Sequence, residues 1–209
     1  MIKPRYDTWA AKSIAAATAH PIGVGDAFYR YATKAGYVDT VPFGAFNRKV
    51  FDQVGYLNEN LKTNEDYEFN VRIREAGGRV WFDPQICSVY FSRSDFGSLV
   101  RQYFRYGYWK LQMLICFPNT LRWRQALPPL FVLSLLILAI IGLFWTPAAL
   151  LLAVELILYF GILTAASVQP ALKNRDWRMI FGIPIAIAIM HTCWGSGFLW
   201  SMVKSLVRG

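Results

Sequence analysis

Three long apolar segments near the end of the chain constrain its fold more than any other feature. They cover residues 127–145, 148–167 and 179–203. Each is close to the roughly 20 residues that a helix needs to cross the hydrocarbon core of a bilayer. The sequence therefore predicts an all-α membrane region of three transmembrane helices, in which only Thr146 and Pro147 join the first two helices into a hairpin.

Basic residues flank these segments on one side of the expected bilayer: Arg122 and Arg124 before the first, and Lys173, Arg175 and Arg178 between the second and third. Loops on the cytoplasmic side of membrane proteins carry an excess of Lys and Arg. We therefore expect a multi-pass membrane protein whose N-terminal part is cytoplasmic.

Two ionisable residues, Glu155 and His191, lie inside the apolar segments. In a membrane, such residues either pair with a neighbouring helix or take part in function. We favour a structural partner for both, and the functional interpretation stays open.

The composition narrows the class of protein further. The 209 residues are 55% hydrophobic and 16% aromatic, which is too apolar for an ordinary soluble domain. The formal net charge is +9. The positive charge suits anionic lipid headgroups or a phosphate-bearing substrate, and no nucleic-acid recognition motif accompanies it. Cys87, Cys116 and Cys193 are too far apart to form a metal-binding motif and are expected to be reduced.

Residues 63–78 predict a helix with a signal at each end. Thr63 or Asn64 can cap the first free N–H groups, and Gly77 can take the left-handed conformation that ends a helix. Glu68 and Arg72 are four residues apart and would pair on the outer face. Three apolar residues form a stripe that would face a core: Phe69, Ile73 and Ala76.

Two carboxylates, Glu65 and Asp66, lie in the first turn of this helix. The positive end of the helix dipole keeps carboxylates ionised there, so the pair can act as a helix cap. Alternatively, Asp66 can accept a proton from a reacting hydroxyl group, because a rigid and ionised carboxylate can serve as a general base. The spacing alone does not decide between these two hypotheses.

Shorter patterns fill the rest of the first 93 residues. They predict a helix at 9–19, a turn at 20–25, a short strand that enters a glycine turn within 38–46, a helix at 47–54 and strands at 79–82 and 86–91. We therefore expect an α/β unit over residues 1–93.

Aromatic and basic residues alternate from residue 94 to 116. This pattern is typical of an amphipathic helix that lies in the membrane interface, and packing on the preceding domain is the structural alternative. The sequence thus divides into residues 1–93, the interface helix with its linker at 94–126, and the membrane region at 127–209.

Three motifs occur in order along the chain: residues 38–48, residues 64–68 and residues 102–107, the last just ahead of the apolar segments. Together they closely resemble membrane-bound family 2 glycosyltransferases, and most of all the branch that builds bacterial exopolysaccharides of the succinoglycan type. The resemblance implies a GT-A nucleotide-sugar transferase of inverting mechanism, located in the cytoplasmic membrane of a bacterial-type cell.

The same resemblance assigns roles to individual residues. Asp66, with Glu65 beside it, matches the Glu-Asp motif, in which the aspartate is the catalytic base. Gly44 matches the glycine of the acceptor-side loop, where a side chain would block the approach of a sugar or phosphate.

The stretch from Gln102 to Tyr106 is similar to the family's Gln-x-x-Arg-Trp motif. The resemblance implies that Gln102 supplies a hydrogen bond and Arg105 a positive charge near the acceptor and the diphosphate. Tyr106 stands where processive polymerases carry the tryptophan that stacks on the growing sugar chain, which favours transfer of a single sugar.

One motif of the family is missing from the sequence. The family binds Mg²⁺ or Mn²⁺ through an Asp-x-Asp motif on the nucleotide-binding strands, and no Asp-x-Asp occurs in these 209 residues. We therefore expect the chain to be the C-terminal part of such an enzyme, with no metal site of its own. A companion chain or a longer reading frame would supply the donor-binding half.

Two functions follow from the sequence. In the first, the chain is a glycosyltransferase, or its acceptor and membrane half, that moves a sugar from a nucleotide-sugar donor to a lipid-linked or polysaccharide acceptor. In the second, it is a non-catalytic membrane subunit or scaffold for polysaccharide synthesis or export, which uses its basic aromatic helix to bind membrane lipids.

Overall fold

The computed structural model describes residues 2–25, 27–61, 63–86, 88–118 and 122–208, so Cys87 lies outside the described residues. This part of the chain is mostly helical. Its helices are α1 Trp9–Ala19, α2 Pro21–Val24, α3 Arg48–Val54, α4 Glu65–Glu75, α5 Phe96–Cys116, α6 Trp123–Gly142, α7 Thr146–Asn174 and α8 Met179–Arg208. Its strands are β1 Ile2–Lys3, β2 Gly36–Val38, β3 Val80–Phe82 and β4 Tyr90–Phe91.

The strands form two separate pairs. β1 runs parallel to β4, and β2 runs antiparallel to β3 with Gly36 opposite Phe82. The short strand predicted from Val38 onward is wrong in position, because β2 covers Gly36–Val38 and ends where the predicted strand begins. Two residues prevent its continuation: Pro42 has no N–H group to donate, and Phe43 has a left-handed backbone with φ of 55°.

Two short helices agree with the sequence predictions. α1 has the predicted bounds, and the Thr8 side chain caps it by accepting a hydrogen bond from the Ala11 N–H at 3.2 Å. α3 is capped by Asn47 and ends at Gly55, whose φ is 77°. The predicted turn at 20–25 contains the single-turn helix α2.

The acidic helix α4 forms where the sequence predicts it, but its N-terminal cap differs. Asn64 has a left-handed backbone with φ of 69°, and its side chain makes no capping hydrogen bond. At the other end Gly77 takes the expected left-handed conformation with φ of 82°. Phe69 and Ile73 are buried as predicted, whereas Ala76 is exposed, because the helix ends at Glu75.

Glu68 and Arg72 form the expected pair, but on an inner face of α4. The Arg72 Nε lies 2.6 Å from one Glu68 oxygen, and the Glu68 residue is only 1% exposed. Arg72 also donates to the carbonyl oxygens of Val54 and Tyr56. The prediction of an outer-face pair is therefore wrong, and the pair fastens α4 to the end of α3 and the turn that follows.

We expect Arg72→Met to lower the free energy of unfolding by about 3–5 kcal/mol, because it leaves the Glu68 carboxylate buried without its partner. Chemical unfolding of the detergent-solubilised protein measures this change. Arg74→Met is the matched control, since Arg74 lies two residues away on the same helix and is exposed. Equal losses in the two variants would contradict the assignment.

Three helices in the described part of the chain, α6, α7 and α8, are long and apolar enough to cross a membrane. This confirms the prediction of three long apolar helices. α6 begins at Trp123, earlier than predicted, and continues through Pro128 and Pro129. α6 and α7 are largely exposed along their length, while α8 is buried over much more of its surface.

Helix α8 is central because α1, α5, α6 and α7 all pack on it. Glycines allow two of these contacts: a Cβ atom at Gly107 of α5 would overlap the carbonyl group of Trp194, and one at Gly197 would overlap that of Phe104. The aromatic helix α5 therefore packs directly along the last apolar helix. The residues of the buried core at this junction include Ile14, Leu99, Leu163, Met179, Ile183, Ile187 and Met190.

Candidate functional site

A cavity of about 700 Å³ lies where the acidic helix, the aromatic helix and the apolar helices meet. Asp66 and Tyr67 of α4 and Tyr106 and Lys110 of α5 line one part of it. Its lining continues through α6 and α7 to His191 and Trp194 of α8. The cavity therefore joins the region expected to lie at the membrane surface to the region expected to lie within it.

Asp66 is the carboxylate on the α4 side of this cavity. One of its oxygens, Oδ1, accepts a hydrogen bond from the Tyr67 N–H at 2.7 Å. The backbone N–H of Asp66 also donates a hydrogen bond to its own carboxylate. Burial raises the pKa of Asp66, and the Glu65 carboxylate adds to this effect, while the Tyr67 N–H and the charge of Arg30 oppose it. Because the Asp66 carboxylate lines the cavity, it can accept a proton from a group there.

Glu65 is placed differently from its neighbour. It is half-buried at the start of α4 and is not part of the cavity lining. Its described influence on the site is electrostatic, through the pKa of Asp66.

Gln102 lies behind the cavity wall. It is 7% exposed and makes three side-chain hydrogen bonds. Its amide nitrogen donates to the hydroxyls of Tyr106 at 2.7 Å and Tyr90 at 3.1 Å. Its amide oxygen accepts from the Arg93 Nε at 2.9 Å. Tyr106 itself lines the cavity. Gln102 thus orients the Tyr106 ring and does not face the cavity.

The structure does not bring Arg105 or Gly44 to the cavity. Arg105 is exposed on α5, and neither residue lines the wall. A Cβ atom at Gly44 would lie 2.8 Å from the ring of Phe46, so this glycine provides space for a neighbouring side chain. Of the residues chosen from the sequence, Asp66 and Tyr106 line the cavity and Gln102 supports Tyr106.

Two cations of the cavity were not singled out from the sequence. Arg30 donates to the Tyr29 hydroxyl at 3.3 Å and to the Thr18 carbonyl at 3.2 Å. Lys110 is 2% exposed, and its Nζ lies 3.9 Å from the ring centroid of Tyr67. Burial lowers the pKa of Lys110 to about 7. A lysine one helical turn after Tyr106, on the buried face of α5, was a usable signal for this position.

Nothing local in the sequence points to Arg30. It is the last residue of the 3₁₀ turn Phe28–Arg30, and its side chain donates to the Thr18 carbonyl of α1, which packs on α8. Its approach to Asp66 is a result of the tertiary fold.

The apolar helices contribute two polar pairs to the cavity. The Ser134 hydroxyl donates to a Glu155 oxygen at 2.7 Å, and the Tyr159 hydroxyl lies 2.9 Å from His191 Nδ1. The other ring nitrogen of His191 is 3.0 Å from the carbonyl oxygen of Ile22. Glu155 and His191 therefore have the structural partners that we favoured, and both also line the cavity.

Family 2 glycosyltransferases generally use a divalent metal ion. In residues 2–25, 27–61, 63–86, 88–118 and 122–208, no group of three or more His, Cys, Asp or Glu side chains is arranged to hold one. The described residues therefore do not fit a metal site, and no step below depends on a metal.

Residues 43–168 match the family described as Glycosyl transferase family group 2. This stretch is more than half of the chain and contains Asp66, Gln102 and Tyr106. The chain belongs to the family 2 glycosyltransferases. The resemblance seen in the sequence motifs is thereby confirmed at the level of the family.

Two relatives illustrate this membership. The chain is 24% identical over 185 residues to the dolichyl N-acetyl-alpha-D-glucosaminyl phosphate 3-beta-D-2,3-diacetamido-2,3-dideoxy-beta-D-glucuronosyltransferase of Methanococcus voltae, covering 88% of this chain and 53% of the relative. It is 29% identical over 96 residues to the succinoglycan biosynthesis protein ExoA of Rhizobium meliloti (strain 1021), covering 46% of this chain and 29% of the relative. The chain thus spans about half or less of these relatives. No solved structure matches it significantly.

Proposed function

We propose that this family 2 glycosyltransferase chain forms the acceptor side of an enzyme that transfers a sugar from a nucleotide-sugar donor to a lipid-linked acceptor at the cytoplasmic face of a membrane. The observation that carries this proposal is the position of Asp66 in a cavity that continues between the apolar helices. An acceptor held in the membrane by its lipid can reach the carboxylate through that cavity.

In the proposed reaction Asp66 acts as the base. A single inverting displacement requires one carboxylate on the acceptor side, which removes the proton from the attacking hydroxyl. We assign this role to the Asp66 carboxylate because it lines the cavity, and the hydrogen bond from the Tyr67 N–H goes to its Oδ1. Tyr106, fixed by Gln102, would pack against the acceptor sugar, and the family's GT-A arrangement would supply the donor on the opposite side.

The lipid-linked acceptor is favoured over a free polysaccharide by the lining of the cavity. Leu127, Leu130 and Phe131 of α6 and Trp194 of α8 line it beside the polar pairs. An apolar wall of this kind suits the hydrocarbon part of a substrate. The names of the two relatives, one acting on a dolichyl-linked sugar and one serving succinoglycan biosynthesis, agree with a lipid-linked or exopolysaccharide product.

We further propose that the nucleotide end of the donor, and any metal on its diphosphate, is held by residues outside those described, in a companion chain or in a longer form of the protein. Two observations support this proposal: the sequence lacks an Asp-x-Asp motif, and the matched regions amount to 53% and 29% of the relatives' lengths.

A sugar-transfer assay tests the proposed function. Membranes that contain the protein in its native host are incubated with a panel of radiolabelled nucleotide sugars and then extracted with organic solvent. We expect label in the lipid fraction for at least one sugar, and its loss when the gene is deleted. If the deletion strain retains all lipid-linked label but fails to export polysaccharide, the chain is a scaffold and the proposal is wrong.

A further inference from the structure

The first turn of α4, which carries Asp66, begins without a side-chain cap. Asn64 takes the N-cap position with a left-handed backbone, and its side chain makes no capping hydrogen bond. A capping side chain normally accepts a hydrogen bond from one of the first free N–H groups and so holds the turn in place. The orientation of the Asp66 carboxylate therefore depends on what this turn contacts elsewhere in the fold.

Tyr67 provides such a contact. Its side chain is buried in a small cluster with Val71 of α4 and Met113 of α5. Its backbone N–H donates a hydrogen bond to the Asp66 Oδ1 at 2.7 Å. Because the ring and this N–H belong to one residue, a contact that fixes the ring of Tyr67 also restrains the hydrogen-bond donor of Asp66.

Lys110 contacts the Tyr67 ring from α5. Its buried Nζ lies over the ring, 3.9 Å from the centroid, where a cation is attracted to the aromatic face. The same Nζ is 3.5 Å from the Met113 sulfur, which is a weak acceptor. α5 is itself fixed against α8 by the close approach at Gly107. A charged group on a firmly packed helix therefore reaches the first turn of α4.

The charge of Lys110 changes near neutral pH. Burial lowers the pKa of Lys110 to about 7; the charges of Arg124 and Arg74 lower it as well, and the Asp39 carboxylate opposes them. Together with Tyr67, these are the charged or titratable groups that face Lys110. Below that pH the ammonium group is charged and is attracted to the ring. Above that pH it is neutral and the attraction is lost.

We propose that Lys110 is a positioning residue for the transfer reaction: through the ring of Tyr67 it holds Asp66 in the orientation that accepts the proton of the attacking hydroxyl. The inference rests on the proposed function and adds to it a residue that acts through another. It gives the buried ammonium group a role that the proposed reaction does not otherwise use.

Steady-state kinetics of Lys110→Met in membranes test this role, with the radiolabelled nucleotide sugar that labels the lipid fraction most strongly. We expect kcat to fall at least about 10-fold, because a misplaced base slows the chemical step. The KM for the nucleotide sugar should stay within about 2-fold, since the substitution does not alter ground-state binding. Arg101→Met is the matched control, because Arg101 is exposed on the same helix. An unchanged kcat in Lys110→Met overturns the proposal.

Two further measurements separate positioning from a general structural role. Lys110→Met should resist unfolding at least as well as the natural protein, because an apolar side chain avoids the cost of burying a charge. In a Tyr67→Leu background, Lys110→Met should lower kcat no further, since the ring on which it acts is gone. A loss of stability that parallels the loss of activity, or a full additional loss in the double variant, contradicts the proposal.

The pH profile of kcat provides a readout that a purely structural lysine would not change. In the natural protein kcat should rise as Asp66 ionises and fall again as Lys110 loses its proton around pH 7. Lys110→Arg keeps its charge over this range, so the alkaline fall should disappear while the acid limb remains. The same alkaline fall in Lys110→Arg overturns the proposal.

Hydrogen exchange tests the contact without activity and without the arginine variant. Protection of the amides of residues 65–70, corrected for the intrinsic exchange rate, should decrease between about pH 6 and about pH 8 in the natural protein but not in Lys110→Met. Equal changes in both proteins overturn the inference. Absence of sugar transfer by the natural protein contradicts the proposed function instead, so the two failures are distinguishable.

Discussion

Asp66→Asn should reduce sugar transfer by about 10³-fold in membranes that contain the protein, since an amide cannot accept the proton of the attacking hydroxyl. The variant keeps the size of the side chain, and its amide oxygen can still accept the hydrogen bond from the Tyr67 N–H. The fold should therefore persist. The measurement is the initial rate of label transfer into the lipid fraction, at equal amounts of protein.

The control for this experiment is Asp52→Asn. Asp52 is an exposed aspartate on the short helix α3 and does not line the cavity. We expect it to transfer sugar at the natural rate. If Asp66→Asn retains more than a tenth of the activity, the carboxylate is a structural feature of the helix start and the catalytic assignment fails.

Gly107→Ala should lower the free energy of unfolding by about 3 kcal/mol or more, which is a large effect for one methyl group. The added Cβ would overlap the carbonyl group of Trp194, which belongs to the backbone of α8 and cannot rotate away. The helices must separate to accommodate it. Since Tyr106 and Lys110 lie one and three residues from Gly107, we also expect sugar transfer to fall.

The same substitution at Gly161 is the matched control. Gly161 lies within α7, and an added Cβ there meets nothing within 4 Å. Gly161→Ala should be neutral or stabilising by up to about 1 kcal/mol, because alanine favours the helix. Unfolding of both variants in mixed detergent micelles measures the difference. Similar stabilities for the two alanines would show that α5 and α8 do not pack as closely as described.

The apolar helices could be predicted from the sequence because the signal is local. A run of about 20 apolar residues is favourable in a bilayer as a helix regardless of the rest of the fold. Similarly, Gly55 and Gly77 ended helices where expected, because each has the left-handed backbone that glycine adopts without strain. These features required no knowledge of distant contacts.

The cavity depends on contacts that the sequence does not display. Arg30 and Lys110 are 80 positions apart in the sequence, yet both line the same cavity. Lys110 is on α5, which packs on α8, and Arg30 is hydrogen-bonded to the Thr18 carbonyl of α1, which also packs on α8.

On α4 the burial of Phe69 and Ile73 was predicted, but that of Glu68 was not: it looks like a surface residue, yet it is buried against Arg72. The charges of Glu68 and Arg72 favoured the outer face of α4, but the tertiary fold places the pair on an inner face.

The motif from Gln102 to Tyr106 shows how a family pattern and a fold differ in what they specify. The pattern names Gln102, Arg105 and Tyr106 together. In the structure Tyr106 faces the cavity, Gln102 supports Tyr106 from behind, and Arg105 is exposed. Their spacing along α5 determines the angles between the three side chains around the helix. Which of them points to the cavity depends on where α8 packs on α5.

The central position of α8 has a consequence for substrate choice. This helix contacts α1 and α5 as well as α6 and α7, and its residues His191 and Trp194 line the same cavity as Asp66. With the function that we propose, the cavity would set the distance between Asp66 and the lipid anchor of the acceptor. On this basis we expect the protein to select carriers by their length. It accepts carriers whose free hydroxyl stands that far from the lipid anchor, and shorter or longer carriers present their hydroxyl at the wrong level.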